Sequence, residues 1–168
     1  DASSITLNGT SGFIETNDSA SLDITGDLTL HEFFKPISIR ADYDTLVIKK
    51  DAGDEDSFEL VYFNNVSPKR FTLFLEDTTF NAGAGANNYL AISANYNLIA
   101  GNEYAIQVSW DNTLKVCTFN IFDITLLTLT NITGYLDFAT FAGFTSTASF
   151  SNIKITTGKL RRGLFVSS

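Results

Sequence analysis

The chain has 168 residues, with 19 acidic and 11 basic side chains and a net charge of −8 at pH 7, a balance that repels phosphate backbones and excludes nucleic acid as a partner. Its composition, 44% hydrophobic and 18% charged, excludes a disordered chain, and no apolar run approaches the ~20 residues of a membrane span. One Cys and one His exclude a disulfide framework and a Cys/His zinc site.

Thr, Ser, Asn, Phe and Ile are abundant, and good helix formers never gather at 3.6-residue spacing over three turns. Such residues suit a pleated, half-buried surface, so the chain reads as all-β. The first expected hairpin is Ile5-Thr6-Leu7, the tight turn from Asn8 to Gly12, and Phe13-Ile14-Glu15. Strands follow at 28–34 (ended by Lys35-Pro36), 45–49, 57–63 and 71–76. The clearest alternation sets Tyr104, Ile106, Val108 and Trp110 against Glu103, Ala105, Gln107 and Ser109, which points the first set to a core. Cys117, Phe119 and Ile121 form a second inward row. The last regular strand holds Phe150, Ile153 and Ile155, with a bulge between 150 and 153. The expected core is Leu30, Phe33, Tyr104, Ile106, Val108, Trp110, Phe119 and Ile153.

Residues 1–157 read as one sandwich domain. The segment 158–168 reverses the sign of the charge with Lys159, Arg161 and Arg162 and adds Leu160, Leu164, Phe165 and Val166. It reads as a basic-apolar tail, extra to the sandwich, that docks on copies of the chain or on other particle subunits; the competing reading is that it folds back on its own sandwich.

Catalytic groups are scarce. A Ser-His-Asp arrangement would have to recruit His31, which lies mid-strand with no Gly-x-Ser-x-Gly elbow in the chain. Cys117 is a core thiol by its place in an inward row. The Gly-x-Gly of the segment Asn81 to Asn88 precedes no helix, so it reads as a hairpin tip. Asp51, Asp54 and Asp56 form an acidic turn, the alternative set of calcium ligands, without EF-hand spacing. Sugar recognition needs an aromatic ring for the apolar face of a pyranose and polar groups for its hydroxyls. Two loops pair them: Asp42-Tyr43-Asp44 and Asn95-Tyr96-Asn97. The competing reading is that each Tyr closes the sandwich end while Asp and Asn form turns.

The order of motifs resembles a known family. Ile5 to Glu15 resembles the opening hairpin of laminin-G-like domains in the concanavalin A-like lectin/glucanase superfamily. The segment Ser19 to Leu30 is similar to Ser-x-Ser-Leu-x-x-x-Gly-Asp-Phe-Thr-Ile, and Phe33-Phe34-Lys35-Pro36 to Trp-Val-Lys-Pro. Leu46 to Asp51 is similar to Ile-Ile-Ser-Lys-Gly-Asp, and Leu98 to Asp111 to Leu-x-x-Gly-x-Trp-Tyr-His-Val-x-Val-Thr-Tyr-Asp.

The resemblance implies an antiparallel two-sheet jelly-roll β-sandwich. It also implies a non-catalytic recognition module for a glycan or cell-surface ligand, in an extracellular, secreted or virion-surface setting. The alternative is a structural surface protein, such as a virion decoration, tail or fibre component or an appendage subunit. The Glu-x-Asp-x-x-Glu of the superfamily's hydrolases is missing, so no enzyme activity is expected. Three departures bear on structure. Phe122-Asp123-Ile124 replaces an Asn-Gly or Asp-Gly turn. Ser151 replaces an Asp that often helps to hold calcium, so no cofactor is expected there. Glu32 falls on the Leu30/Phe34 face, which requires a bulge or a sheet edge.

Overall fold

β-Branched and aromatic residues fill the segments that become strands, and polar turn residues separate them. The computed structural model describes residues 6–7, 13–17, 26–50, 56–76, 88–137, 145–146 and 159–162. The strands are β1 (Ile14–Thr16), β2 (Leu28–Phe34), β3 (Tyr43–Lys50), β4 (Asp56–Phe63), β5 (Arg70–Glu76), β6 (Asn88–Asn95), β7 (Tyr104–Asp111), β8 (Val116–Asp123), β9 (Thr128–Thr133), β10 (Tyr135–Leu136), β11 (Thr145–Ser146) and β12 (Lys159–Arg162). Among the described residues there is no helix.

Two sheets result. The larger runs β1-β12-β3-β4-β5-β6-β10, with the short β11 also on β6, and the smaller runs β2-β7-β8-β9. All pairs are antiparallel except β11 with β6. The sheets share one core, to which the small sheet contributes Leu28, Phe34, Tyr104, Ile106, Val108, Trp110, Cys117, Phe119 and Ile121. Leu46, Val47, Phe58, Leu60, Tyr62, Phe71, Leu73, Leu75, Leu90 and Ile92 face them from the large sheet. The chain is therefore an all-β sandwich.

The strict alternation of β7 and β8 holds, because one face meets the core and the other is wetter. In β3 a register shift between Thr45 and Val47 inserts Leu46, so two consecutive residues, Leu46 and Val47, reach the core. Gly134, between β9 and β10, crosses close to the core. A Cβ there would lie 2.6 Å from Ile92 Cγ2 and 3.0 Å from Phe119 Cε2, so only glycine fits.

Several expectations are corrected. Phe33 is not core: β2 pairs with β7 without a bulge, so Phe33 points outward and is 67% exposed, while Leu30 is half-buried against the core. Glu32 does share the Leu30/Phe34 side, and β2 is the outermost described strand of its sheet, where a carboxylate can reach solvent. The basic residues 159–162 are not extra to the sandwich. They form β12, between β1 and β3, so the boundary expected at 157 does not detach them.

The strand Phe13-Ile14-Glu15, expected to return against Ile5-Thr6-Leu7, lies in part in β1, whose described partner is β12. The turn after Asp123 is closed without Asn-Gly. Asp123 Oδ1 accepts the Leu126 N–H at 2.8 Å, and Leu127 takes φ 53°. Phe150, Ile153 and Ile155, Ser151, Asp51, Asp54 and the glycine-rich tip from Asn81 to Asn87 lie outside the described residues. Asp56 opens β4 opposite Lys50.

Candidate functional site

Both loops singled out for sugar chemistry come to one end of the large sheet. One cross-strand row, Tyr43–Phe63–Arg70–Asn95, runs over β3, β4, β5 and β6. Directly opposed residues share a face, and this row lies on the outer side, away from the small sheet. The next row on that side is Thr45–Val61–Thr72–Ser93–Tyr135, which brings in β10.

Two tyrosine rings bracket this surface. Tyr43 is 46% exposed and packs one side on Phe63, with ring centroids 5.8 Å apart. Tyr135 is 40% exposed, and its hydroxyl donates to Asn95 Oδ1 at 2.8 Å. Burial raises the Tyr135 phenol, the nearby Arg70 guanidinium lowers it and the Asp137 carboxylate raises it, with a net upward direction. It therefore stays neutral and keeps its O–H for the bond to Asn95.

The floor between the rings is polar and buried. Arg70 Nε lies 2.7 Å from Asp137 Oδ2, both side chains being largely excluded from solvent. The same Asp137 oxygen accepts the Ser93 hydroxyl at 2.8 Å, and Ser93 Oγ lies 2.8 Å from Thr72 Oγ1. The Asp137 N–H donates to the Ala91 carbonyl, which fixes the carboxylate over the sheet. A buried pair keeps its charges only with such added hydrogen bonds. The network ties β5, β6 and the segment after β10 together on this side of the sheet.

The six expected ligand residues part ways. Tyr43 and Asn95 share the outer row. Tyr96 instead closes the core end, 6.1 Å from the Phe71 ring and edge-on to Tyr104 at 6.2 Å. Asn97 is exposed on the segment after β6. Asp42 braces a loop: its Oδ1 accepts the Asn65 Nδ2–H at 2.6 Å, and its carbonyl accepts the Asn64 and Asn65 N–H groups. Asp44 faces inward opposite Tyr62, buried, with Arg40 Nε 3.9 Å from Oδ1 and no hydrogen-bond partner on Oδ2. Burial pushes the Asp44 carboxyl up; Arg40 acts against this by charge and by a backbone hydrogen bond, and Asp42 adds to it.

Arg70, Tyr135 and Asp137 were missed in the sequence. The spacing of Tyr135 and Asp137 on either side of Leu136 was the available signal, since it sets both on one face of an extended segment.

The other reactive groups are structural. Cys117 is buried and its thiol is pushed up to about 12, too high to ionise near neutrality. Asp111 Oδ1 accepts the Thr113 and Leu114 N–H groups at 2.9 and 2.7 Å, an Asx-type turn between β7 and β8. Among the described residues no three His, Cys, Asp or Glu side chains converge on a metal-sized site, and no helix is long and apolar enough to cross a membrane. Comparison with protein-family models, curated proteins and solved structures returns no match.

Proposed function

We propose that the chain is a non-catalytic recognition module that binds a glycan or cell-surface ligand, on a jelly-roll sandwich of the concanavalin A-like, laminin-G-like kind. The setting is extracellular, secreted or on a virion surface. The observation that carries the reading is the pair of adjacent outer rows, in which exposed Tyr43 and Tyr135 flank Asn95 and the buried Arg70–Asp137 pair. Aromatic faces accept the C–H face of a sugar ring, and the exposed Asn95 amide reaches its hydroxyls, while the buried Arg70–Asp137 pair is scaffold. Tyr43 on β3 and Tyr135 on β10 stand four strand spacings apart, about 19 Å at ~4.8 Å per strand. That span suits several sugar units in a row. Recognition by this surface uses no metal.

Two features favour the alternative, a structural surface protein: Ser151 in place of the family's metal-supporting Asp, and the basic-apolar tail. Lys159, Arg161 and Arg162 lie in β12, which weakens the second of these and leaves the first as it stands.

Glycan-array binding followed by calorimetry tests the proposal. Tyr43→Ala and Tyr135→Ala should each weaken binding at least tenfold with little change in melting temperature. Binding that is absent from the array, or that survives both substitutions, overturns it.

A further inference from the structure

β9 is the outer strand of the four-stranded sheet, and its described pairing is with β8 alone. Natural edge strands are guarded by charge, proline or a bulge, because open N–H and C=O groups invite another strand. β9 reads Thr128-Leu129-Thr130-Asn131-Ile132-Thr133, uncharged and proline-free, and its register with β8 runs without a shift. Leu129 is 68% exposed.

The register also shows which backbone groups face outward. The Gly134 N–H donates to the Cys117 carbonyl at 2.7 Å. Hydrogen-bonded pairs recur at every second residue of an antiparallel ladder. Ile132, Thr130 and Thr128 therefore bond to β8, and the N–H and C=O of Leu129, Asn131 and Thr133 point away from it.

We infer that this edge takes a second copy of the chain, β9 against β9, antiparallel about a two-fold axis at Asn131. The outward-pointing groups select the register. Pairing Asn131 with the partner's Asn131, and Leu129 with the partner's Thr133, is the one antiparallel alignment that engages all three residues of each strand. It also keeps Leu129, Asn131 and Thr133 on the outer side, as the pleat requires.

Charge selects the occupant. A two-fold contact sets like against like, so on a chain of net charge −8 only an uncharged surface escapes repulsion. β9 meets this condition, and so do its outward neighbours on β8, Thr118, Asn120 and Phe122. The row His31–Gln107–Asn120–Asn131, in which Asn131 Nδ2 donates to Asn120 Oδ1, continues through the axis into the copy. The small sheet becomes one of eight strands.

Sedimentation velocity of the purified chain over a concentration series tests this, and the expected result is a reversible monomer–dimer equilibrium. Asn131→Lys opposes two charges at the axis and should weaken association at least tenfold. Asn131→Pro removes an N–H that does not bond to β8 and should do the same, each with an unchanged far-ultraviolet circular dichroism spectrum. In the third variant, Asn131→Cys, oxidation should trap a covalent dimer, while Thr128→Cys should not. Cys117 does not compete, being buried with a raised pKa. A parent chain that stays monomeric at every concentration overturns the inference. A dimer indifferent to both Asn131→Lys and Asn131→Pro, or no covalent dimer from a folded Asn131→Cys chain, overturns it equally.

Discussion

The two sheets treat their outer faces in opposite ways. In the small sheet, β7 and β8 alternate between buried and half-exposed residues, so the face away from the core is wet. In the large sheet, Phe58 to Phe63, Arg70 to Leu75 and Leu90 to Ala94 are buried without a break, so both faces are covered. Outside the shared core, Val61, Phe63, Phe74 and Ala91 form a second apolar cluster beside the Thr72–Ser93–Asp137–Arg70 network. A strand with one wet face must be amphipathic, whereas one buried twice can place a polar side chain in the interior if it is paired. The candidate site stands on the second kind of surface, which fixes its groups more firmly than an open face would.

Matched substitutions on the two outer faces break or sharpen this comparison. Phe74 lies 6.1 Å from the Phe63 ring in an edge-on contact and is buried, whereas Phe33 on the small sheet is mostly exposed. Phe74→Ala should cost ~3–5 kcal/mol, and Phe33→Ala no more than ~0.5 kcal/mol, in urea unfolding. Equal costs would show that the outer side of the large sheet is not a packed layer.

The ion pairs make the next contrast. Asp137→Ala leaves Arg70 without the carboxylate in a buried site and should cost ~3 kcal/mol or more. Glu103→Ala breaks the exposed contact with Lys35, 3.3 Å between charged atoms, and should cost less than ~1 kcal/mol. Chemical denaturation of both variants reads the difference directly.

The smallest effect depends on pH. The Asp44 carboxyl is raised in the folded chain, chiefly by burial, so the native state binds its proton more readily than the unfolded chain does. Its contribution to stability is greatest in acid. It declines as pH climbs from the unfolded value through the folded one. Asp44→Asn removes that decline. The melting temperature of Asp44→Asn relative to the parent should therefore be higher at pH 7 than at pH 3. An unchanged difference would mean that Asp44 is not held against ionisation.

Legibility followed the same division. Tyr104, Ile106, Val108, Trp110 and Phe119 were readable as core because each alternates with polar residues along one strand, and all are buried. Phe33 is hydrophobic yet exposed, because period-two spacing puts it on the face opposite Leu30, Glu32 and Phe34. Two of the five residues of the candidate site were readable, as Tyr43 and Asn95 belong to segments whose composition suggests sugar chemistry. Arg70, Tyr135 and Asp137 were not, because two adjacent rows over five strands bring together residues up to 92 positions apart (43 to 135) through register alone.

By itself, then, the sequence determined the class of the fold, three of the four strands of the small sheet (β2, β7 and β8) and the scarcity of catalytic groups, since composition and local period suffice for these. The tertiary structure decided the rest. It turned a basic stretch into the strand between β1 and β3, set Tyr96 into the core end, and assembled Tyr43, Arg70, Asn95 and Tyr135 on one surface. The physical reason is that strand pairing is non-local. Which residues become neighbours depends on hydrogen-bond register between distant segments, and no local pattern of side chains encodes that register.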